Sequence, residues 1–297
     1  MLVNSANLRT LYTSFSTAFQ GGFTGVSPLY TRVAQTVPSS TRSNEYGWLG
    51  QLPRIREWIG DRVVQNLATQ GYTIRNRSFE STIAVLRDDI DDDNLGIYAP
   101  LFQEFGRASA TFPDELVWAL LLAGFSTNCF DGQFFFDTDH PVLDAAGNTV
   151  SFANTDGGNG TAWFLMDTTR AIKPIIYQSR RPFELTRMDA PTDEAVFNRR
   201  EYRYGTDGRC NVGFGFPQLA WGSRQTLDAA HYEAARVGLS TMKGDYGRPL
   251  GINGNLLVVP PQLEGAARKL VVNDFDAMGA TNTWKGSAEV LVVPWLA

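Results

Sequence analysis

Lysine is scarce: Lys173, Lys243, Lys269 and Lys285 stand against 22 arginines, and no lysine precedes residue 173. Cysteine and histidine are scarcer, with two of each. Cys129 and Cys210 have no CxxC spacing, which argues against a disulfide framework and a zinc ribbon and points to synthesis in a reducing cytoplasm. The longest apolar run, residues 116–125, falls short of the roughly 20 residues a bilayer demands. The N-terminus lacks the basic-then-apolar order of a secretory leader, so a soluble, non-secreted chain is expected. There is no basic tail, and the formal net charge is -5. Tight sequence-specific DNA binding is disfavoured, because phosphate neutralisation needs clustered cations; loose contact with nucleic acid stays open.

What is present describes a globular protein. At 297 residues the chain can bury a large core as one domain or two moderate ones. Hydrophobic residues are 43% and charged residues 19%, a low charge content that suits a surface spent in interfaces. The preference for arginine over lysine fits bidentate pairing and aromatic stacking at such interfaces.

Leu8, Leu11, Tyr12, Phe15 and Phe19 fall at helical spacing, with Asn4 or Ser5 as cap and Gly21-Gly22 as stop. Residues 21–44 are extended. A second helical stretch holds Leu101, Phe102, Phe105 and Ala108; Pro113 opens or kinks a third, residues 114–123, apolar nearly all round. Residues 130–225 read as β-rich, with an exposed turn at 156–160. Asp228 caps a helix with Tyr232, Ala235, Leu239 and Met242 inward and Leu227 stapled to Tyr232. Residues 256–259 form a buried strand, Pro260-Pro261 starts a short helix through Leu270, and residues 289–293 form a last strand. Helices and strands do not alternate regularly, so the fold class is α+β.

Residues 46–93 stand out as a long arm carrying Trp48, Arg54, Arg56, Trp58, Arg62, Tyr72, Ile74, Phe79, Ile83 and Val85. Phe79, Ile83 and Val85 alternate as in a strand. Gly60-Asp61 fits a tight hairpin turn, although Leu52, Ile55, Ile59 and Val63 would also line a helix; the hairpin is favoured. A two-stranded element alone is marginal in water, so a neighbouring subunit is expected to cover this one. Trp and Arg are the side chains that most often anchor interfaces. The competing expectation packs Trp48 and Trp58 on the chain's own core. Asp88, Asp89, Asp91, Asp92 and Asp93 follow as an acidic knot, placed where a helix N-terminus favours negative charge and where it could pair with the arm's arginines.

Candidate chemistry is thin. Asp137, Asp139 and His140, within Phe134-Phe135-Phe136-Asp137-Thr138-Asp139-His140-Pro141, could share a divalent metal in a metal-dependent hydrolase. An extended backbone, however, sends His140 to the face opposite the two aspartates, and a turn with Asp side chains on backbone amides accounts for the segment. No GxxxxGK[ST], GxGxxG or GxSxG motif occurs, and two histidines make a thiol nucleophile a poor fit. No catalytic residue, cofactor site or metal site is assigned.

Taken in order, several segments resemble the major head subunits of Mu-like bacteriophages. They are the helix with Phe15 and Phe19; Arg56-Glu57-Trp58-Ile59-Gly60-Asp61-Arg62; Tyr72-Thr73-Ile74 through Phe79-Glu80; and Asp91-Asp92-Asp93-Asn94-Leu95-Gly96-Ile97-Tyr98. Phe135-Phe136-Asp137-Thr138-Asp139-His140-Pro141-Val142, Ile172-Lys173-Pro174, Tyr204-Gly205-Thr206-Asp207, Leu257-Val258-Val259-Pro260-Pro261 and Asn282-Thr283-Trp284-Lys285-Gly286 continue the match. The resemblance spans nearly the whole chain.

It implies the HK97-like capsid fold. The N-terminal arm would be residues 1–41, the extended E-loop 42–90, the P-domain with its spine helix 91–224, the A-domain 225–275 and a C-terminal return strand 276–297. Pro113 departs from an uninterrupted spine helix. The implied function is self-assembly in hexamers and pentamers into an icosahedral shell around double-stranded DNA, in the host cytoplasm, with scaffold, portal and decoration proteins as partners and no membrane. The inter-subunit residues would be Trp48, Arg54, Arg56, Trp58 and Arg62, with the acidic knot as candidate partner. Some relatives of the fold weld subunits by a lysine–asparagine isopeptide bond. An E-loop without lysine cannot supply one, so a non-covalent shell is expected. A tail-tube or decoration protein is the nearest alternative.

Overall fold

The computed structural model describes residues 4–47, 49, 71–92, 95–275 and 279–297. The first helix, Ser5–Thr24, starts where the sequence indicates: the Asn4 side chain accepts from the Asn7 amide at 2.8 Å. It does not stop at Gly21-Gly22 but ends against Gly25. The reason lies in the long helix Tyr98–Ala123, which crosses it. A Cβ on Gly22 would sit 1.8 Å from the Gln103 carbonyl oxygen, and one on Gly106 would sit 1.9 Å from that of Phe19. The two glycines let the helices touch backbone to backbone.

The long helix also runs straight through Pro113 for 26 residues, so the third sequence segment is the continuation of the second. Loss of one helical hydrogen bond is offset by burial. Asp114, beside the proline and fully buried, accepts from the Tyr30 amide at 2.5 Å, the Leu29 amide at 3.2 Å and the Trp118 indole at 3.1 Å. Burial pushes its carboxyl above the ordinary range, and the three donors pull against that.

Both helices pack on a four-stranded sheet. Ala34–Pro38 runs parallel to Ile175–Met188, which pairs antiparallel with Glu201–Phe214, which pairs antiparallel with Arg77–Leu86. Phe15 stacks on Phe102 with ring centroids 4.1 Å apart, and both rings meet the edge of Tyr204 from the sheet. Aromatic pairs of this kind add about 0.5–1.5 kcal/mol each beyond burial.

A second, five-stranded sheet is ordered Glu289–Val292, Leu256–Val259, Trp163–Met166, Ala220–Arg224, Thr155–Gly158. Leu256–Val259 and Trp163–Met166, two of its three inner strands, are buried on both faces. By the two-residue alternation of strands, Phe164, Met166, Leu256 and Val258 turn to Val117, Trp118 and Leu121 of the long helix. Trp163, Leu165, Leu257 and Val259 turn to a second core with Tyr232 and Leu239 of helix Ala229–Ser240 and Ala267 of helix Glu264–Val271. Asp228 caps the first of these helices, accepting from the His231 amide at 2.9 Å. Strands from 155–166 and 220–224 thus share a sheet with 256–259 and 289–292, although the sequence reading divides the chain between 224 and 225.

Among the described residues, no helix is long and apolar enough to cross a membrane. The helix crossing gives a paired test. Gly22→Ala or Gly106→Ala should lower subunit stability by about 2 kcal/mol or more, as overpacking against rigid backbone does. Gly21→Ala, one residue away with nothing within 4 Å, should raise it by about 0.5–1 kcal/mol through helix propensity. Urea denaturation of the three variants measures the difference; equal effects at 21 and 22 would remove the close crossing.

Candidate assembly interface

The root of the arm is built into the body of the chain. Strand Ser43–Glu45 pairs antiparallel with Thr73–Arg75, and the Tyr46 amide donates to the Tyr72 carbonyl at 2.9 Å. The two ends of the intervening segment are therefore held side by side. Gln178, fully buried in the four-stranded sheet, fastens them: its Oε1 accepts from the Tyr46 hydroxyl at 2.8 Å, and its Nε2 donates to the Ile74 carbonyl at 3.1 Å and to Asn76 Oδ1 at 2.8 Å. Asn76 Nδ2 passes the network on to Ser39 Oγ at 2.8 Å. Burial raises the Tyr46 hydroxyl to about 12, so it stays a donor at any physiological pH. No sequence motif announced Gln178; a lone glutamine in an apolar strand run was the only signal.

This corrects part of the sequence reading. Tyr72, Ile74, Phe79, Ile83 and Val85 do find partners in their own chain. Ile74 joins the core beneath Tyr46 and Leu49. Phe79 meets Phe112 of the long helix at 4.6 Å, and Val85 is buried under the N-terminal helix, with Ile83 packed beside it. The reason is the ten-residue ladder between Arg77–Leu86 and Glu201–Phe214, a non-local pairing that a local pattern cannot reveal. Trp48, Arg54, Arg56, Trp58 and Arg62, and the hairpin expected around Gly60-Asp61, lie outside the described residues.

The acidic knot is engaged locally. Asp88 bridges to Arg200 at 2.8 Å, Asp91 approaches Arg87 at 3.6 Å one helical turn away, and Asp89 accepts from the Tyr98 hydroxyl. Asp92 is exposed, and Asp93 lies outside the described residues. The ion pairs are half-exposed and contribute little stability, about 0–1 kcal/mol each. They do fix the end of the sheet, where Leu86, Met188 and Phe197 face solvent; Phe197 is 81% exposed. Together these exposed apolar side chains make that end a candidate contact surface.

The Asp137–Asp139–His140 segment separates as an extended backbone requires. Asp137 closes a turn, accepting from the Thr138 amide at 2.8 Å and the Phe134 amide at 3.3 Å, while Asp139 meets Gln133 Nε2 at 3.4 Å on the surface. His140 turns inward. Its Nδ1 lies 2.7 Å from Asp131 Oδ2, and the Cys129 thiol donates to Asp131 Oδ1 at 3.0 Å. The imidazole is fully buried and stacks on Phe152, centroids 4.8 Å apart. The grouping is non-local, and the Cys129-Phe130-Asp131-Gly132 turn, spaced to put the thiol and the carboxylate together, is the one sequence cue to it. Because the carboxylate stands between sulfur and ring, this is not a nucleophile hydrogen-bonded to its base. Burial also pushes both the Cys129 and Cys210 thiols up, away from the reactive thiolate.

A long helix flanked by an extended two-stranded root, one sheet under the helices and one between two cores, is the plan of a tailed-phage shell subunit, the HK97-like capsid fold. Among solved structures the chain superposes on a subunit of the procapsid of bacteriophage JBD30 with a TM-score of 0.89 and 47% identity, covering 99% of this chain and 100% of that one. Against a subunit of the bacteriophage JBD30 capsid the TM-score is 0.78 at 37% identity, with both chains covered in full. The family described as Mu-like prophage major head subunit gpT matches residues 8–296, and the chain belongs to it. It is 41% identical to the major capsid protein of Escherichia phage Mu over the whole of both chains. It is 40% identical to the Mu-like prophage FluMu major head subunit of Haemophilus influenzae, over 96% of each. The protein is a major head-shell subunit of Mu-like type.

The thiol environment is directly measurable. In the native protein at neutral pH, Cys129 and Cys210 should react with a disulfide reagent at least tenfold more slowly than in denaturant. Rapid modification of either thiol in the folded protein would contradict their burial.

Proposed function

We propose that this head-shell subunit closes an icosahedral container around double-stranded DNA by casting residues 47–71 over a neighbouring copy. One observation carries the reading: the ladder of Ser43–Glu45 with Thr73–Arg75, pinned by Gln178, holds both ends of that segment on the chain's own body. An anchored loop carrying Trp48, Arg54, Arg56, Trp58 and Arg62 is then placed to bury its apolar and guanidinium groups by reaching outward. Obligate interfaces of this kind remove on the order of 2,000–5,000 Å² from water. Leu86, Met188 and Phe197 supply a second contact at the end of the four-stranded sheet.

In domain terms the reading keeps residues 1–41 as N-terminal arm, 42–90 as E-loop, 91–224 as largely P-domain, 225–275 as A-domain and 276–297 as the returning strand. The shell is non-covalent. No lysine lies in the loop, and Lys173, the first in the chain, donates to the Thr31 carbonyl. The chain is not an enzyme, assembly takes place in the host cytoplasm, and scaffold and portal proteins are transient partners. A related JBD30 capsid is decorated with minor capsid protein trimers, and a comparable decoration protein is proposed here. Contact with the packaged DNA is weak and sequence-independent, as a chain of net charge -5 requires.

Replacing residues 51–70 with a short glycine–serine linker should leave a folded, soluble subunit that forms no closed shells under negative-stain microscopy. The Tyr46–Tyr72 hydrogen bond makes such a linker easy to close. Shells of normal size from this variant would sink the loop's role. If the acidic knot receives the arm's arginines, Asp91→Lys with Asp92→Lys should cut particle yield severalfold while subunit stability moves by less than about 1 kcal/mol, as expected of exposed charges. Unchanged yield would discard that pairing.

A further inference from the structure

We propose that Cys129, Asp131 and His140 form a binding site for one zinc-like divalent cation, which ties the turn after the long helix to the base of the hairpin His140–Leu143 and Thr149–Phe152. The inference is independent of the assembly reading. Donor atoms of all three side chains lie within 4.8 Å of one another, the one such group of three among the described residues. They come from the turn at residues 129–132 and the start of the hairpin, nine residues on from Asp131 in the chain. Cys129 is 6% exposed and His140 0%, while the Asp131 side chain is 7% exposed.

The donor set selects the ion. One thiolate sulfur, one imidazole nitrogen and one carboxylate oxygen is a combination that zinc accepts, whereas magnesium and calcium require oxygen donors throughout. Tetrahedral zinc with bonds of about 2.0–2.3 Å places its donors roughly 3.3–3.6 Å apart. The present separations are 2.7 Å from Nδ1 to Asp131 and 3.0 Å from Sγ to Asp131, the contraction expected of hydrogen bonds between groups that an ion would spread slightly. Protein supplies three donors and water the fourth.

Charge balance points the same way. A divalent ion with one thiolate, one carboxylate and one neutral imidazole sums to zero, which is the arrangement a low-dielectric site favours. Binding releases the Cys129 proton to solvent, and the imidazole proton that Nδ1 now shares with Asp131 moves to Nε2, leaving the Nδ1 lone pair to take the metal. Nε2 makes no hydrogen bond at present, so it is free to receive that proton. Phe152, stacked on the imidazole, also lines an open cleft of about 530 Å³ whose lining includes Gly238 of helix Ala229–Ser240.

The test uses the full-length protein, treated with chelator and then titrated with Zn2+ against a chromophoric competitor, with Co2+ as a spectroscopic probe. One equivalent of Zn2+ per chain is expected, and Co2+ should give a thiolate-to-metal charge-transfer band. Cys129→Ala should abolish that band, and His140→Gln should weaken Zn2+ binding at least tenfold. Cys210→Ala and Asp139→Asn should leave both readouts unchanged. Absence of the Co2+ band in the wild-type protein overturns the proposal whatever the variants do. So does a band that survives Cys129→Ala, or Zn2+ uptake in less than stoichiometric amount.

Discussion

The five-stranded sheet must be covered on both faces, and the architecture follows from that requirement. Leu256–Val259 and Trp163–Met166 have no polar face to offer water, so one side demands the long helix and the other demands the two helices after residue 228. A strand buried on both faces reads as a continuous apolar run, which is what Leu256-Leu257-Val258-Val259 is. The long helix is shared. Its second half covers this sheet, and its first half lies with the N-terminal helix on the four-stranded sheet. One continuous element therefore couples two cores. A shell subunit needs this property: contacts made at the rim transmit force only if the body between them does not yield.

Where local chemistry decides a feature, the sequence announced it. Asn4 and Asp228 cap helices because short side chains that accept from the third amide onward are needed there, and both were readable. The alternation along residues 79–85 gave the strand. Punctuation residues misled where tertiary contact overrides them. Gly21-Gly22 reads as a stop, yet Gly22 is required inside the helix because the Gln103 carbonyl leaves no room for a Cβ. Pro113 reads as a break, yet the helix continues through it, with the buried Asp114 beside it accepting from the distant Leu29 and Tyr30 amides. Neither contact is local, so no window of sequence contains it.

The candidate site divides in the same manner. The resemblance to Mu-like head subunits pointed to the arm, and its composition pointed to an interface, but the pattern alone assigned too much of it to a neighbour. Ile74, Phe79 and Val85 look unpartnered only while the strand Glu201–Phe214, more than a hundred residues away, is out of view. Asp137 and Asp139 drew attention because they sit beside a histidine in sequence, and backbone alternation separates them from it. The true neighbours of His140 are Cys129 and Asp131, brought there by the turn at Gly132 and by the Asn154 side chain. Asn154 donates to the Phe135 and Pro217 carbonyls at 2.8 and 3.1 Å and accepts from the Asp137 amide.

On the proposed reading of the arm, rigidity in the body and reach in the loop are complementary requirements, and the arm's root is where they meet. A loop that is to bind a neighbour loses conformational freedom on docking, roughly 1–2 kcal/mol for each backbone residue it fixes. Pinning both ends beforehand removes part of that loss, since the loop searches a volume set by its anchor and not by a free chain end. Gln178 meets this need with three buried hydrogen bonds satisfied inside one subunit, so the anchor does not depend on assembly having begun. The surface groups differ in kind. The Arg200–Asp88 and Arg87–Asp91 pairs lie half in water and contribute little to stability. Stability is held in the core. Because every subunit is gripped by several others, each contact can be weak enough to correct during growth while the closed shell remains hard to dismantle.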